Sequence, residues 1–554
     1  MRGEIEKNMS NLVLNKNGAT VKITNNSNIV YNYDYDNGII SPTIIDNITS
    51  KIDEIRPINI KIPSFVTYRE TTLQPGDSIT FETDNVDEIL YYSNLSTSLI
   101  PGISVTVTSN GNGGEVISEK TVKFIDYDGT LLYSYTPDEF NALTTMPENP
   151  IHSGLTSQGW NWSLSDAKSY VSDYGLLTIG QTYITEDGKT RLYIFIEDSA
   201  TETEGVIKIG LNGTVIIDWG DYSSTETIIG SDIDTTIQKT HMYYNPGKYT
   251  ITLDITEGNV SLNGISNFWL GKIEIGSGVI SIADNAFSEC EMLNTIIIPK
   301  EITYIGDSAF RECYTLTSIT IPDGITTLKS SVLNICFGLA SISLPNTITS
   351  IEDNALSICR ALTSIAIPNT ITSISDGVFS YCHGLTNIII PNGITEIGKE
   401  AFYECYALKY VSIPETVTTI GQAAFSNCFA LDSITIPDTV TFISNGAFAY
   451  CPSLHSFTIP NNITSIEVAT FSCCDALSSI IIPENITHID ASAFSYCRTL
   501  TSITFISSTP PTLNSTAFEM ISPFGTMYIP EGSLEAYTTA ENYPEPEFYN
   551  YIEY

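Results

Sequence analysis

Positive charge is scarce in this sequence. The 554 residues carry 24 Lys and Arg against 63 Asp and Glu, for a formal net charge of −39. Binding a phosphate backbone or an anionic leaflet needs clustered cations that release counterions, so neither nucleic acid nor a lipid surface is an expected partner. Charged residues of both signs make up only 16%, so the acidity reflects missing Lys and Arg as much as abundant acid. Long apolar runs are missing too. No stretch reaches the roughly eighteen residues that span a bilayer, and no membrane span is expected. The opening MRGEIEKNMSNLVLNKNG lacks the apolar centre and small-residue cleavage site of a secretory leader, and none is expected there. Histidines number five, tryptophans four, and cysteine is absent before residue 290. No G-x-S-x-G, H-E-x-x-H or phosphate-cradling glycine motif occurs. No catalytic residue, cofactor or metal set is therefore assigned. What remains is a chain that is 42% hydrophobic, with ample material for a core and a length that implies several domains.

The cysteines that do occur keep a beat. Ten of the eleven, from Cys290 through Cys313, Cys336, Cys359, Cys382, Cys405, Cys428, Cys451 and Cys474 to Cys497, are 23 residues apart, and Cys473 alone stands outside the spacing. Prolines from Pro299 to Pro483 and leucines from Leu293 to Leu500 follow the same period. One unit reads [I/V]-x-x-[I/L]-x-x-x-A-F-x-x-C-x-x-L-x-x-I-x-I-P. Around Cys313 its apolar columns are Ile302, Ile305, Ala309, Phe310, Leu316, Ile319 and Ile321. A single unit cannot bury these side chains, whereas stacked copies turn each column into a continuous dry ladder. The L-x-x-I-x-I-P segment alternates as a strand with one buried face, and proline closes it where a ladder N–H is not needed.

These units resemble the leucine-rich repeats of BspA-like surface proteins over about residues 265–530. The resemblance implies a mainly β fold: a leucine-rich repeat solenoid with a parallel concave sheet, preceded by small β-sandwich or β-grasp-like domains. Ten strands at about 4.8 Å make a sheet roughly 45–50 Å long. Ten repeats are assigned to 265–506 and a C-terminal cap to 507–554, where STPPTLNSTAFEM and YIPEGSLEAY look like that family's closing segment.

Ahead of the repeats, residues 1–110 are read as a β domain of unknown type, with strand-like SITFETDN and GISVTVTSN and a flexible break at NGNGG. Residues 116–200 open with VKFIDYDGTLLYSYTP and carry GWNW. They look similar to internalin-type B-repeats, with an added helical stretch SLSDAKSYVSDYG. Residues 203–264, with Asp218-Trp219-Gly220-Asp221, His241, Tyr244 and the turn Pro246-Gly247-Lys248, look like a PKD-type immunoglobulin-like sandwich. Asp218 and Asp221 could serve calcium, but a turn role is the plainer reading. Modules of these kinds also resemble those of gut-phage tail and virion proteins.

The cysteine ladder offers one sulfur per layer and no histidine ladder beside it, which does not suit a metal site. Lateral disulfides remain geometrically open, and buried thiols acting as small hydrophobes are the favoured reading. On the repeat strands the outward residues are Ser318/Thr320, Ser341/Ser343, Ser364/Ala366, Asn387/Ile389, Tyr410/Ser412, Ser433/Thr435 and Ser456/Thr458, a small hydroxylated face. Richer residues flank the cysteines. Tyr314, Phe337, Tyr381, Tyr406, Phe429, Tyr450 and Tyr496, with Tyr410 on the strand and Arg360, His383 and Arg498 interleaved, form a candidate ligand-binding stripe along one edge.

The expected function is a non-enzymatic adhesin or receptor-binding protein whose solenoid binds a host or bacterial cell-surface protein or glycan. It would act extracellularly, at a cell surface or as a phage virion component, with oligomers through the N-terminal modules. The alternatives are a carbohydrate-active enzyme with its catalytic part in 1–200, and a structural spacer.

Overall fold

The computed structural model describes residues 121–197, 203–266, 269–522, 525–543 and 549–554, and, of the first 120 residues, seven strands. The chain divides into two units, Met1–Glu119 and Lys120–Tyr554. In the first, Ala19–Asn25 lies antiparallel between Ser78–Thr83 and Ile103–Ser109, so both strand-like runs noted above are strands. A second sheet joins Ile60–Lys61, Ile39–Pro42, Tyr31–Asp34 and Thr72–Leu73 in that order. The NGNGG break lies outside the described residues.

The second unit is built on coils of 23 residues. Most coils give two short strands, while the coil holding Ser364 and Ala366 gives only the second, Ser373–Ile374. The L-x-x-I-x-I segments, such as Ser318–Thr320 and Ser341–Ser343, pair in parallel with their neighbours one repeat on. A second parallel row runs through Tyr304–Ile305, Thr327–Leu328, Ser350–Ile351 and their equivalents. Between the rows, the aliphatic, Phe, Cys and Leu columns are buried in one continuous cluster from Leu192 to Tyr549. The phenylalanines stack ring on ring, with centroids 5.2–5.8 Å apart from Phe379 to Phe518. Leu333 and Leu356 separate this stack from the Phe287–Phe310 pair.

The thiols are structural in a specific way. All eleven cysteines are free. From Cys313 to Cys497, nine Sγ atoms each donate to the main-chain carbonyl 26 residues earlier, at 3.0–3.4 Å. Each sulfur thus ties its coil to the one before. Burial pushes these thiols up, to about 12 at Cys336, Cys382, Cys451 and Cys497.

The coils close on the C-terminal side with Thr526–Ile529 and Asn550–Glu553, a helix Leu534–Thr539, and Tyr537 buried with its hydroxyl on the Ser507 carbonyl. On the N-terminal side, Thr190–Ile196, Thr203–Asp218, Glu226–Tyr243, Gly247–Ser266 and Trp269–Glu274 form one sheet. Gly247–Ser266 pairs with Val279–Ile282, and Trp269–Glu274 with Thr295–Ile297, so this sheet starts both rows of the solenoid. Its core is continuous with theirs, where the sequence reading expected a separate immunoglobulin-like sandwich. Thr190–Ile196, read as the end of the 116–200 segment, pairs within this sheet as well.

Residues 121–185 make a mixed sheet in the order Leu155–Trp160, Leu177–Thr185, Val122–Ile125, Leu131–Tyr135, with the first and last strands of the segment parallel at its centre. The expected helix runs Leu164–Tyr174, with Ser163 as N-cap and Gly175 left-handed at its end. Among the described residues no helix is long and apolar enough to cross a membrane.

Candidate functional site

Proline shapes the outer face of the first strand row. In this parallel register Ile321 N donates to Ser343 O at 3.0 Å, which leaves the Ile321 carbonyl to be served by the N–H of residue 345. That residue is Pro345, which has none. The same gap recurs wherever the proline column continues. Where it stops, the bond reappears: Ile506 stands in the proline position and its N–H donates to Ile482 O at 3.1 Å. Each strand that faces a proline of this column therefore ends on a carbonyl without a ladder donor.

The 121–185 module supplies donors to three of them. Asn161 Nδ2 donates to Ile321 O at 3.1 Å, Trp162 Nε1 to Leu344 O at 2.8 Å, and Tyr170 Oη to Ile367 O at 2.8 Å. All three side chains are buried. Around them, Ser343 Oγ donates to Thr178 O at 2.8 Å, and Ser318 Oγ to Tyr127 O at 3.2 Å. Ala366 joins the module's own core with Trp162 and Tyr170. Gly180 allows the close approach, since a Cβ there would lie 2.2 Å from Thr320 Oγ1. Ser318, Thr320, Ser343 and Ala366, expected on a free concave face, are thus covered by the chain itself. Tyr174 Oη reaches one coil further, accepting from Asn392 N at 3.2 Å, but the strand face from Asn387 onward is open: Asn387, Tyr410, Ser412, Thr435, Ser456 and Thr458 are exposed and Ile389 and Ser433 half-buried. None of these residues is charged.

The aromatic residues singled out from the sequence fall into three columns and not one stripe. Tyr314, Phe337, Arg360, His383, Tyr406 and Phe429 occupy the position after the cysteine in six successive coils. Their planes lie against one another: Tyr314 on Phe337 at 5.0 Å, the Arg360 guanidinium over Phe337 at 4.7 Å, His383 on Tyr406 at 4.2 Å, and Tyr406 on Phe429 at 4.7 Å. The ring faces are spent on each other, so the stack turns mainly edges outward. Tyr381, Tyr450 and Tyr496 hold the position before the cysteine, in left-handed backbone at φ of 58–61°. Tyr381 approaches His383 at 6.2 Å. Tyr410 lies on the open strand face, apart from both columns. Burial, then the Arg360 charge, lowers the His383 pKa below its ordinary value, against an opposing pull from Glu404.

The other histidines have separate partners. His152 meets Asp126 at 2.7 Å, His241 meets Asp221 at 2.7 Å, His455 meets Asp432 at 3.0 Å, and His488 meets the Thr487 hydroxyl at 2.8 Å. Asp126 is buried and also accepts from Tyr183, so it is fully engaged. Asp218 and Asp221 accept turn N–H groups from Gly220 and Ser223, as the turn reading of that motif requires. Burial raises the Asp221 pKa, but hydrogen bonds from Ser223 and His241 outweigh it and hold the group at about 2.

Asn161, Trp162, Tyr170 and Gly180 escaped the sequence reading as interface residues. The usable signal was the proline column, whose missing N–H groups demand outside donors.

Residues 263–385 and 395–524 match the BspA-type leucine-rich repeat region in six copies. Similar solved structures include a leucine-rich cell-surface protein of Faecalibacterium prausnitzii, at 26% identity and a TM-score of 0.31, covering 51% of this chain and 93% of that one. A leucine-rich repeat protein of Bacteroides ovatus is similar at 22% identity and a TM-score of 0.32, covering 54% and 97%. The pneumococcal vaccine antigen PcpA follows at 17% identity and a TM-score of 0.39, covering 52% and 80%. No curated protein matches the sequence. Over those two stretches the solenoid carries a BspA-type leucine-rich repeat region.

Proposed function

We propose that this chain is a non-enzymatic binding protein, an adhesin or receptor-binding protein, whose solenoid engages a protein or glycan at a cell surface. It works outside the cell, at a bacterial surface or as part of a phage virion, and the N-terminal modules serve attachment and oligomer formation. The observation that carries this reading is a division of labour on one face. Its N-terminal half is closed by the chain's own module, while its C-terminal half stays open and uncharged on a chain of net charge −39. The aromatic columns flank the cysteines of these coils. Tyr314, Phe337, Tyr381, Tyr406, Phe429, Tyr450 and Tyr496, with Tyr410 on the sheet, are the proposed contact residues. Repeated weak contacts over several coils raise affinity through number, without a deep pocket.

The test is binding of the labelled full chain to intact bacterial and epithelial cells by flow cytometry. Saturable binding that falls on combining Tyr406→Ala, Phe429→Ala and Tyr450→Ala supports the reading. Uniform absence of binding across the cells overturns it in favour of a spacer.

A further inference from the structure

The proline column does not end where the docked module ends. Asn161, Trp162 and Tyr170 serve the carbonyls of Ile321, Leu344 and Ile367. By the same register the carbonyls of Ile390, Ile413, Ile436 and Ile459 look for an N–H at residues 414, 437, 460 and 483, and all four are proline. The four carbonyls follow the served ones in unbroken series, one per coil, along the edge of the open face. Backbone acceptors left without a donor are costly when a partner covers them and rewarding when it supplies the bond. The chain shows which chemistry does so, because its own module seats amide, indole and phenol donors on the preceding three coils.

We propose that Ile390, Ile413, Ile436 and Ile459 form a docking strip for a second protein that presents a row of side-chain N–H and O–H donors of the same kind. This deepens the binding function above and rests on it. The strip is continuous with an interface already formed within the chain, and its floor is Asn387, Ile389, Tyr410, Ser412, Ser433, Thr435, Ser456 and Thr458. A protein surface is favoured over a carbohydrate on two grounds. The seated precedent is protein, and the interior rings of the neighbouring aromatic stack have no free face on which a sugar could lie.

The decisive variant gives the strand ends back their own donors, as Ile506 already does for Ile482. The full chain and its fourfold variant Pro414→Ala, Pro437→Ala, Pro460→Ala, Pro483→Ala are titrated with a fluorescent synthetic copy of residues 159–175, GWNWSLSDAKSYVSDYG, carrying a photo-crosslinker. Both proteins are also applied to a glycan array. The expected result is peptide binding with crosslinks on the coils between 387 and 459. It should weaken about a hundredfold in the fourfold variant, since four acceptors are withdrawn. It should weaken likewise when the peptide carries Asn161→Leu, Trp162→Phe and Tyr170→Phe. Circular dichroism of the variant checks its fold, with Pro437→Ala alone as the milder substitution. Absent peptide binding, binding unchanged by the proline substitutions, or retention of glycans alone would each overturn the proposal. Cell binding that survives the proline substitutions removes this strip while leaving the broader function standing. Loss of cell binding in the wild type removes the broader function instead.

Discussion

Asn161 donates to the carbonyl of Ile321 because the coil above that carbonyl offers Pro345 and no N–H. The same side chain accepts from Gly180 N at 2.9 Å and donates to Ser343 Oγ at 2.9 Å, so one amide links two strands of the module to two coils. Asn161→Leu removes all of these bonds and leaves a buried carbonyl unserved. It should destabilise the docked module by about 2 kcal/mol, inside the range of ~1–3 for such a loss. Urea unfolding followed by the fluorescence of Trp160 and Trp162 should show a separate early transition. A single unchanged transition would contradict this account of the interface.

Gly180 should tolerate no side chain. The Cβ of Gly180→Val would also come within 2.9 Å of Ser343 Cβ, so the strand Leu177–Thr185 cannot lie flat on the coils. The expected outcome is faster tryptic cleavage after Lys123 and Lys168 of the module, with the sheet from Thr190 and the solenoid beyond it still folded by hydrogen exchange.

Thr320 makes the opposite prediction. Its hydroxyl is buried beneath the module without a hydrogen-bond partner. Thr320→Val keeps the shape and discards the orphan, so thermal unfolding should move upward or stay level, whereas burying a satisfied hydroxyl's replacement would lower it.

The thiol column predicts both reactivity and pH response. In the native protein Cys473, half-buried and off the ladder, should react first with a thiol reagent and Cys290 more slowly, with the remaining nine appearing only on unfolding. The buried thiols have folded pKa values raised above the ordinary 9.0, to about 12 at four of them. Their contribution is therefore complete below about pH 9 and is lost as pH rises toward 12, because the unfolded chain ionises first. Melting temperature should fall steeply over that window. Cys382→Ala with Cys405→Ala should flatten the fall while lowering stability at pH 7, since two ties to the preceding coils are cut.

The solenoid was open to reading because its signal is redundant: ten coils repeat the same columns, and any one of them defines the rest. Phe310, Cys313, Leu316 and Ile319 all sit in the core to which their spacing assigned them. The module contact was hidden because it joins residues about 160–200 positions apart and has no periodicity to betray it. Tyr314 and Tyr381 were grouped by closeness to cysteine, but one residue's difference places the first in a ring stack and the second in left-handed backbone. Sequence distance does not register that change of direction. The 203–264 segment carried the turn chemistry it was read for. Its pairing with Val279–Ile282 depends on where a later strand lies, and a local motif does not contain that information.

Because each coil from Pro414 to Pro483 brings its own proline, it also leaves the coil before it a carbonyl without a ladder donor. Duplicating or deleting whole coils beyond residue 414 would change the reach of the strip by one rung at a time, leaving untouched the module's grip, whose last contact is Tyr174 Oη on Asn392 N. Length on that side is thus a dial that gain or loss of whole repeats can turn without redesigning a single contact.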